Sequence, residues 1–552
     1  MRKFPTDIFA VKEYGITRWQ EEFFLPVSDE KYLEMYQDVD RCIAKAINGT
    51  PADVANLLSI DAVYLSIEYA NVLHALKVID VVGKNGIELF CTGNSLWYKK
   101  ITDKAPLDNH MYNIFPTYTN LSSMNIKARI SERLKSLAKT VIFNRFDILK
   151  YVVSLFEKEN LRICGSNSPL IDRYIKETGR WCYFTSFSDW LKGNSNGKIS
   201  DELAGLIKDC ADGLIDNLSQ VAAKYDVPFP DGFKSHLANL TKNRFINTGK
   251  TLNRVERVVR TLKKKTHFLL SGTGIPLNRV IGVAVQKQGG KIAVFAHGGD
   301  VGLLNQPLYS ISSFDAPIVN DFVTYTNESA GLYEMIKRNH LHCDSKWNMV
   351  SAESNEYFMI WKRYRNLPPA DTIKSVMVIG SPHYHRRVAK AGGLSLTRLD
   401  YELRFIDVLK ETDYRVIYKA HPERLSEIEG IFEGKAEVMK EKLEKDFNCA
   451  DAFIFPRITT STFMKIVCTN KRIIILDISF KDFKPFEEPL ELLEKRCSVI
   501  ETWRDKRGRV LFDKKHLLEE LTRKPKYPNT EFMEKYLFPA NIKSVFTEPR
   551  RL

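Results

Sequence analysis

A chain of 552 residues exceeds what one hydrophobic core organises, roughly 250–300 residues, and so predicts two large domains. With 44% hydrophobic and 27% charged residues the composition excludes fibrous and disordered classes. A formal net charge of +14 points to acidic partners: phosphate-bearing substrates, anionic lipid or nucleic acid.

Nine scattered cysteines without a CxxC pair argue against a disulfide framework and against a zinc site. No uncharged apolar run reaches the ~18 residues of a membrane span, and the N-terminus MRKFPTDIFAVKEYG lacks the apolar core of a signal peptide. Both features predict a cytoplasmic protein.

Residues 1–250 read mostly as helices joined by three strand-like runs, AVYLSI (62–67), IELFC (87–91) and LRICGS (161–166). The stretch 125–156 spaces apolar residues at helical period, with Lys127, Arg129, Arg133, Lys135, Lys139, Arg145 and Lys150 between them. It reads as a helix whose basic face is either solvated or laid on an anionic membrane surface.

From residue 266 the pattern sharpens: THFLLSGTGIPLNRVIGVAVQKQGGKIAVFAHGG reads strand, glycine turn, helix, glycine stop, strand, which is one βαβ unit. Ser271, Gly272, Thr273 and Gly274 occupy the strand-to-helix turn, where backbone N–H groups and the helix dipole favour an anion. They form a candidate substrate loop. The dinucleotide fingerprint fails there, because Leu277 stands where its third glycine belongs. The second strand stops at His297-Gly298-Gly299-Asp300, an imidazole and a carboxylate at a strand end, where open α/β sheets bind ligands and paired glycines let backbone approach a substrate. Asp300 also fits a simple turn cap. A further strand, DFVTYT (321–326), follows, and the polar, proline-bearing segment 339–371 reads as an interdomain connection.

A second alternation begins at SVMVIGSPHYH (375–385). A helix over 399–411, the strand YRVIYKAHPE (414–423), a charged helix, then AFIFPRITTSTF (452–463) and RIIILD (472–477) complete it. Strands alternating with helices predict a parallel sheet. Its polar residues gather at strand ends: Gly380 and Ser381 after the first strand, Lys419, His421 and Pro422 at the end of the second, and Thr459, Thr460 and Ser461 at a helix start. Hydroxyls and free amides at a helix start, with lysine and histidine beside them, make a phosphate cradle. Taken singly, the threonine cluster also fits a helix N-cap and His421 an ordinary turn histidine.

His297-Gly298 after a strand, His421-Pro422 after a strand of the second domain, and a Thr/Ser cluster at a later helix start are similar, in order and context, to three motifs shared by a group of bacterial envelope enzymes. These are the CDP-glycerol glycerophosphotransferases, the polysialyltransferases and the CMP-Kdo-dependent transferases of capsule and O-antigen assembly. The likeness covers residues 266–477. It implies a GT-B glycosyltransferase, with the acceptor on the first Rossmann-like domain and a cytidine nucleotide on the second. It further implies that His421 and Pro422 hold the donor phosphate, that Thr460 and Ser461 add hydroxyl and amide donors, and that Lys419 screens charge. Stabilising the negative charge of a departing nucleotide is what such chemistry requires. In the glycerophosphotransferase pattern His297 is the general base; in the Kdo and sialic acid enzymes a first-domain carboxylate is central, and Asp300 takes that place. HGGD departs from the acidic-pair-plus-glycine motif of the latter group.

The expected architecture is therefore α/β and GT-B-like: two doubly wound Rossmann-like domains facing across a cleft, with a helix-rich N-terminal part. Residues 1–338 form the acceptor-side domain, 339–371 the connection, and 372–552 the nucleotide-donor domain with a helical tail. The expected activity is metal-independent transfer of an acidic sugar, Kdo favoured, from a CMP-activated donor to a saccharide or lipid-linked acceptor in lipopolysaccharide or capsule biosynthesis. The nucleotide sugar is a co-substrate and no cofactor is expected. The enzyme works in the cytoplasm, with peripheral association with the inner-membrane face. Three rivals stand beside this reading: a CDP-polyol-dependent glycerol- or ribitol-phosphate transferase, a sugar-nucleotide 2-epimerase, and a nucleic-acid-binding protein, the last disfavoured by the lack of an RRM-like aromatic signature.

Overall fold

The computed structural model describes residues 2–92, 98, 126–164, 168–191, 198–262, 265–272, 274–296, 302–305, 318–340, 347–367, 370, 372–381, 393–421, 425–443, 446–458, 460–477, 485–524 and 527–543. The N-terminal third is helical: α1 (Ile8–Tyr14), α2 (Ile16–Glu21), α3 (Asp29–Gly49) and α4 (Ala52–Lys84), with β1 (Lys3–Pro5) paired in parallel to β2 (Glu88–Phe90). The run 62–67, expected as a strand, lies in the middle of the 33-residue α4. That helix is buried on nearly every side, so its apolar residues form a continuous run with no helical stripe to betray the period. Three of its buried polar groups find partners on a later helix: Thr248 donates to Asp61 at 2.8 Å, Arg244 to Glu68 at 2.7 Å, and Tyr69 and Thr241 share a 2.7 Å bond.

The stretch 125–156, expected as one helix, is two. α5 (Ile126–Phe143) and α6 (Ile148–Phe156) are separated by a tight turn in which Arg145 and Phe146 take φ of 55° and 57°. Asp147 caps α6, its carboxylate accepting the Lys150 N–H at 2.9 Å.

The first sheet holds β3 (Glu159–Cys164), β4 (Cys182–Thr185), β5 (Lys265–Leu270), β6 (Lys291–Phe295), β7 (Asp321–Thr324) and β8 (Asn348–Ser351), all parallel, in the order β4-β3-β5-β6-β7-β8. Four helices pack around it or lead into it: α7 (Pro169–Thr178), α8 (Phe187–Trp190), α9 (Asp201–Lys224) and α10 (Asp231–Thr261). β5 passes to β6 through α11 (Pro276–Lys287). The chain reverses its direction of travel across the sheet between β3 and β5, which makes that pair the switch point. Residues 348–364 add β8 and the helix 356–364 to this half of the chain.

The second sheet holds β9 (Ser375–Ile379), β10 (Arg415–Lys419), β11 (Glu437–Met439), β12 (Ala452–Phe455), β13 (Arg472–Leu476) and β14 (Ser498–Ile500), again all parallel, in the order β11-β10-β9-β12-β13-β14. That is the 3-2-1-4-5-6 order of a doubly wound Rossmann-type sheet, with its switch point between β9 and β12. The core strands carry the continuous Val/Ile/Phe runs that burial on both faces demands, as in AFIF of β12 and RIIIL of β13.

Contacts at three places tie the halves together. Near the N-terminus, Leu25 N–H donates to Arg507 O at 3.0 Å and Arg504 pairs with Asp29 at 3.0 Å. Near the C-terminus, Ser329 Oγ donates to Tyr536 O at 2.9 Å. Between the sheets, Leu304 bridges Pro485 and Phe486 N–H donates to Leu303 O at 3.2 Å, so the segment just after HGGD lies against the chain that follows β13.

Candidate functional site

The carboxyl ends of β9, β10 and β12 adjoin one another at the switch point of the second sheet. Neighbouring strands lie about 4.8 Å apart, so the residues leaving them converge. After β9, Gly380 donates its N–H to Lys419 O at 3.0 Å. A Cβ on Gly380 would overlap the Tyr418 phenol, so only glycine allows the two strand ends to close. Ser381 N–H then donates to Glu402 Oε1 at 2.9 Å, and Tyr418 Oη donates to Glu402 Oε2 at 2.8 Å.

Glu402 lies on α12 (Gly393–Lys410), the helix that returns from β9 to β10, and is fully buried. Burial pushes its carboxyl up to about 7, against the hydrogen bonds from Tyr418 and Ser381 and the charge of Arg398, which pull it down. Three cations on these elements are buried: Arg398 at 1% exposure, Lys419 at 7% and Arg457 at 7%. Lys419 donates to Ala420 O at 2.6 Å, which holds its ammonium at the strand mouth. Burial raises the Tyr401 phenol, and the Arg457 and Arg398 guanidiniums draw it back.

β12 leads through Arg457 to α13 (Ser461–Val467). Thr460 is the N-cap of that helix, its hydroxyl accepting the Phe463 N–H at 3.1 Å. The Thr460 side chain is thus occupied in holding the helix start, and both Thr460 and Ser461 are half-buried. His421, also half-buried, follows directly on Ala420 at the β10 end. Pro422 and Thr459 lie outside the described residues.

On the first sheet, the loop after β5 sits at the switch point. Gly272 has φ of 148°, a backbone conformation that side-chain-bearing residues rarely adopt. Ser271 is half-buried, and Gly274 O accepts a 2.9 Å bond from Tyr64 Oη of α4. Helix α11 begins with Pro276 at its first turn and no side-chain cap on Ile275. Thr273 lies outside the described residues, and so do His297, Gly298, Gly299 and Asp300. The strand that delivers these four ends at Phe295, and Ala296 N–H donates to Val323 O at 2.8 Å.

No protein-family model matches the chain, and no curated protein sequence does. Among solved structures, UDP-N-acetylglucosamine 2-epimerase from Rickettsia bellii is similar at 12% identity with a TM-score of 0.30, over 68% of this chain and 92% of that one. A likeness of that size carries no argument about chemistry. The architecture rests on the strand orders.

Sequence reasoning missed Glu402, Arg398, Arg457 and Tyr418. A signal existed for Glu402: it stands between Leu399 and Ile406 on the buried stripe of its helix, where a carboxylate is out of place unless bonded. Arg457 had only its position after AFIFP. Among the described residues no helix is long and apolar enough to cross a membrane, and no group of three or more His, Cys, Asp or Glu side chains is placed to hold a metal ion.

Proposed function

We propose that the chain is a nucleotide-sugar-dependent glycosyltransferase that binds its donor across the carboxyl ends of β9, β10 and β12. One observation supports this above the others: Gly380, Ser381, Lys419 and the start of α13 come together at the carboxyl ends of β9, β10 and β12, at the switch point of a Rossmann-type sheet, where such sheets bind ligands. A phosphate group brought to these strand ends finds the Lys419 ammonium at the mouth of β10 and backbone and hydroxyl donors at the start of α13.

The donor reading is a cytidine-activated acidic sugar, CMP-Kdo first, and it rests on the motif resemblance of His297-Gly298, His421-Pro422 and the Thr/Ser cluster. His421 and Lys419 neutralise the leaving phosphate as its charge develops. The reacting group comes from the segment after β6, where Asp300 acts as nucleophile or His297 as general base toward an acceptor hydroxyl. The acceptor is a saccharide or a lipid-linked saccharide, in surface polysaccharide assembly.

A thermal-shift panel of CMP, CDP, UMP, UDP, ADP and GDP tests the reading, because a ligand that binds only the folded state raises its apparent stability. Selective stabilisation by CMP is expected. Selective stabilisation by UDP would transfer the site to an epimerase, and no shift with any nucleotide would remove the donor site.

A further inference from the structure

The hairpin of α5 and α6 carries the most exposed apolar surface among the described residues. Of the nine residues of α6, all but Lys150 and Ser154 are large apolar side chains left exposed, with Leu149 at 75% and Phe156 at 84%. Ser154 faces inward, its Oγ 3.3 Å from Tyr183 Oη. Surface helices of globular proteins bury one stripe; this one exposes nearly its whole circumference.

The hairpin is nonetheless fixed firmly in place. β4 is the edge strand of its sheet, and its outer backbone groups are taken by α5 and the turn after it. Phe184 N–H donates to Thr140 Oγ1 at 2.9 Å, Cys182 N–H donates to Asn144 Oδ1 at 3.1 Å, and Asn144 Nδ2 donates to Cys182 O at 2.8 Å. These bonds close an edge that would otherwise be left unpaired. Between hairpin and sheet lies a cavity of about 1130 Å³, just above the roughly 300–1,000 Å³ of small-molecule sites. Leu137, Trp181, Tyr183 and Trp190 give it apolar walls, and Arg162 and Arg257 also line it. Trp181 is buried, and its indole N–H has no hydrogen-bond partner among the described residues. Arg162 lies over the Tyr183 ring at 5.4 Å, and burial lowers its pKa.

We propose that this hairpin docks on an anionic bilayer, with α6 lying in the boundary between headgroups and acyl chains, and that the cavity behind it receives the hydrocarbon chain of one membrane lipid. Charge selects the bilayer as occupant. Lys135, Lys139 and Arg145 are exposed on the same hairpin, and Lys150 is partly so. A second copy packed by two-fold symmetry would set these cations against themselves, whereas anionic headgroups neutralise them. At nine residues α6 is too short to span a membrane and long enough to lie in its interface. An amphiphile suits the cavity, with its chain against the aromatic walls and an ester or phosphate oxygen on an arginine. The inference is independent of the nucleotide chemistry proposed for the second sheet.

Vesicle flotation of the full chain tests it, with phosphatidylcholine alone and with phosphatidylglycerol added. Binding to the anionic vesicles is expected to exceed binding to the neutral ones by about tenfold or more at low salt, and to weaken as salt rises. Ile148→Ser/Leu149→Ser/Phe156→Ser should lower anionic-vesicle binding by about tenfold or more with no change in the circular-dichroism melt, since these side chains are exposed. Phosphatidylglycerol with brominated acyl chains should quench a part of the tryptophan emission that Trp181→Phe removes. Absent vesicle binding, binding indifferent to the triple substitution, or quenching that Trp181→Phe leaves unchanged would each overturn the proposal. A dimer in sedimentation equilibrium that the triple substitution dissolves, without vesicle binding, would give this face to a second copy.

Discussion

The Tyr418 phenol donates a 2.8 Å hydrogen bond to the Glu402 carboxylate, and this single contact joins a strand end to the helix that packs over it. The other oxygen of the same carboxylate takes the Ser381 N–H, so one buried residue sets the start of the loop after β9.

Glu402 should make stability depend on pH in an unusual direction. Its folded pKa of about 7 lies above the ordinary 4.5, so the folded state holds a proton that the unfolded chain gives up. Below the ordinary value both states are protonated and nothing is lost; as pH rises through the window from there to about 7, the folded state loses ground to the unfolded one. Thermal midpoints of the wild type and Glu402→Gln, followed across that window, should diverge with rising pH, the variant falling less. Parallel curves would show that the carboxylate is ionised throughout.

Gly380→Ala forces a methyl group onto the Tyr418 ring. Overpacking of this kind costs about 1–3 kcal/mol, and the first structural response is displacement of Tyr418 from Glu402. The melting temperature should fall, and Gly380→Ala/Tyr418→Ala should cost less than the sum of the two single substitutions. Additive losses would mean that the strand ends relax apart instead.

At the proposed donor site, Lys419→Met, His421→Ala and Ser461→Ala should each weaken the stabilising nucleotide. A lost hydrogen bond to a charged group costs about 1.5–3 kcal/mol, or roughly 10- to 150-fold in affinity. Thr460→Ala behaves differently: as the cap of its helix, Thr460 should lose about 1 kcal/mol of stability on truncation, while Thr460→Ser keeps the cap. Unchanged titrations for all three donor-site variants would sink the assignment.

The segment after β6 separates two chemistries. If Asp300 attacks the anomeric carbon, donor without acceptor should leave a sugar mass on the intact protein, absent in Asp300→Ala, and the product keeps the donor configuration. If His297 is the base of a single displacement, no adduct forms and the configuration inverts. Loss of activity alone would not distinguish them, so mass spectrometry of the intact chain decides. We expect the adduct.

Strand runs that are apolar on both faces and stopped by glycine or proline were readable one at a time: KIAVF before His297, SVMVI before Gly380, AFIF before Pro456. Each such run reports its own burial, and their alternation with helices reports a parallel sheet. AVYLSI was misread for the same reason, since a helix buried on all sides erases the period that would distinguish it from a strand. Strands β4, β8, β11 and β14 were not read at all; each has three or four residues, too few to show a pattern.

By itself, then, the sequence determined the class of the fold and the glycine, serine and histidine ends of its central strands, because those follow from local burial and turn chemistry. Only the tertiary structure decided that β12 lies beside β9, that Arg457 is buried close to Tyr401, and that Asn144 and Thr140 hold an apolar hairpin against the edge of the first sheet. These are relations between residues tens of positions apart. Strand order and helix packing bring them together, and no local period records either.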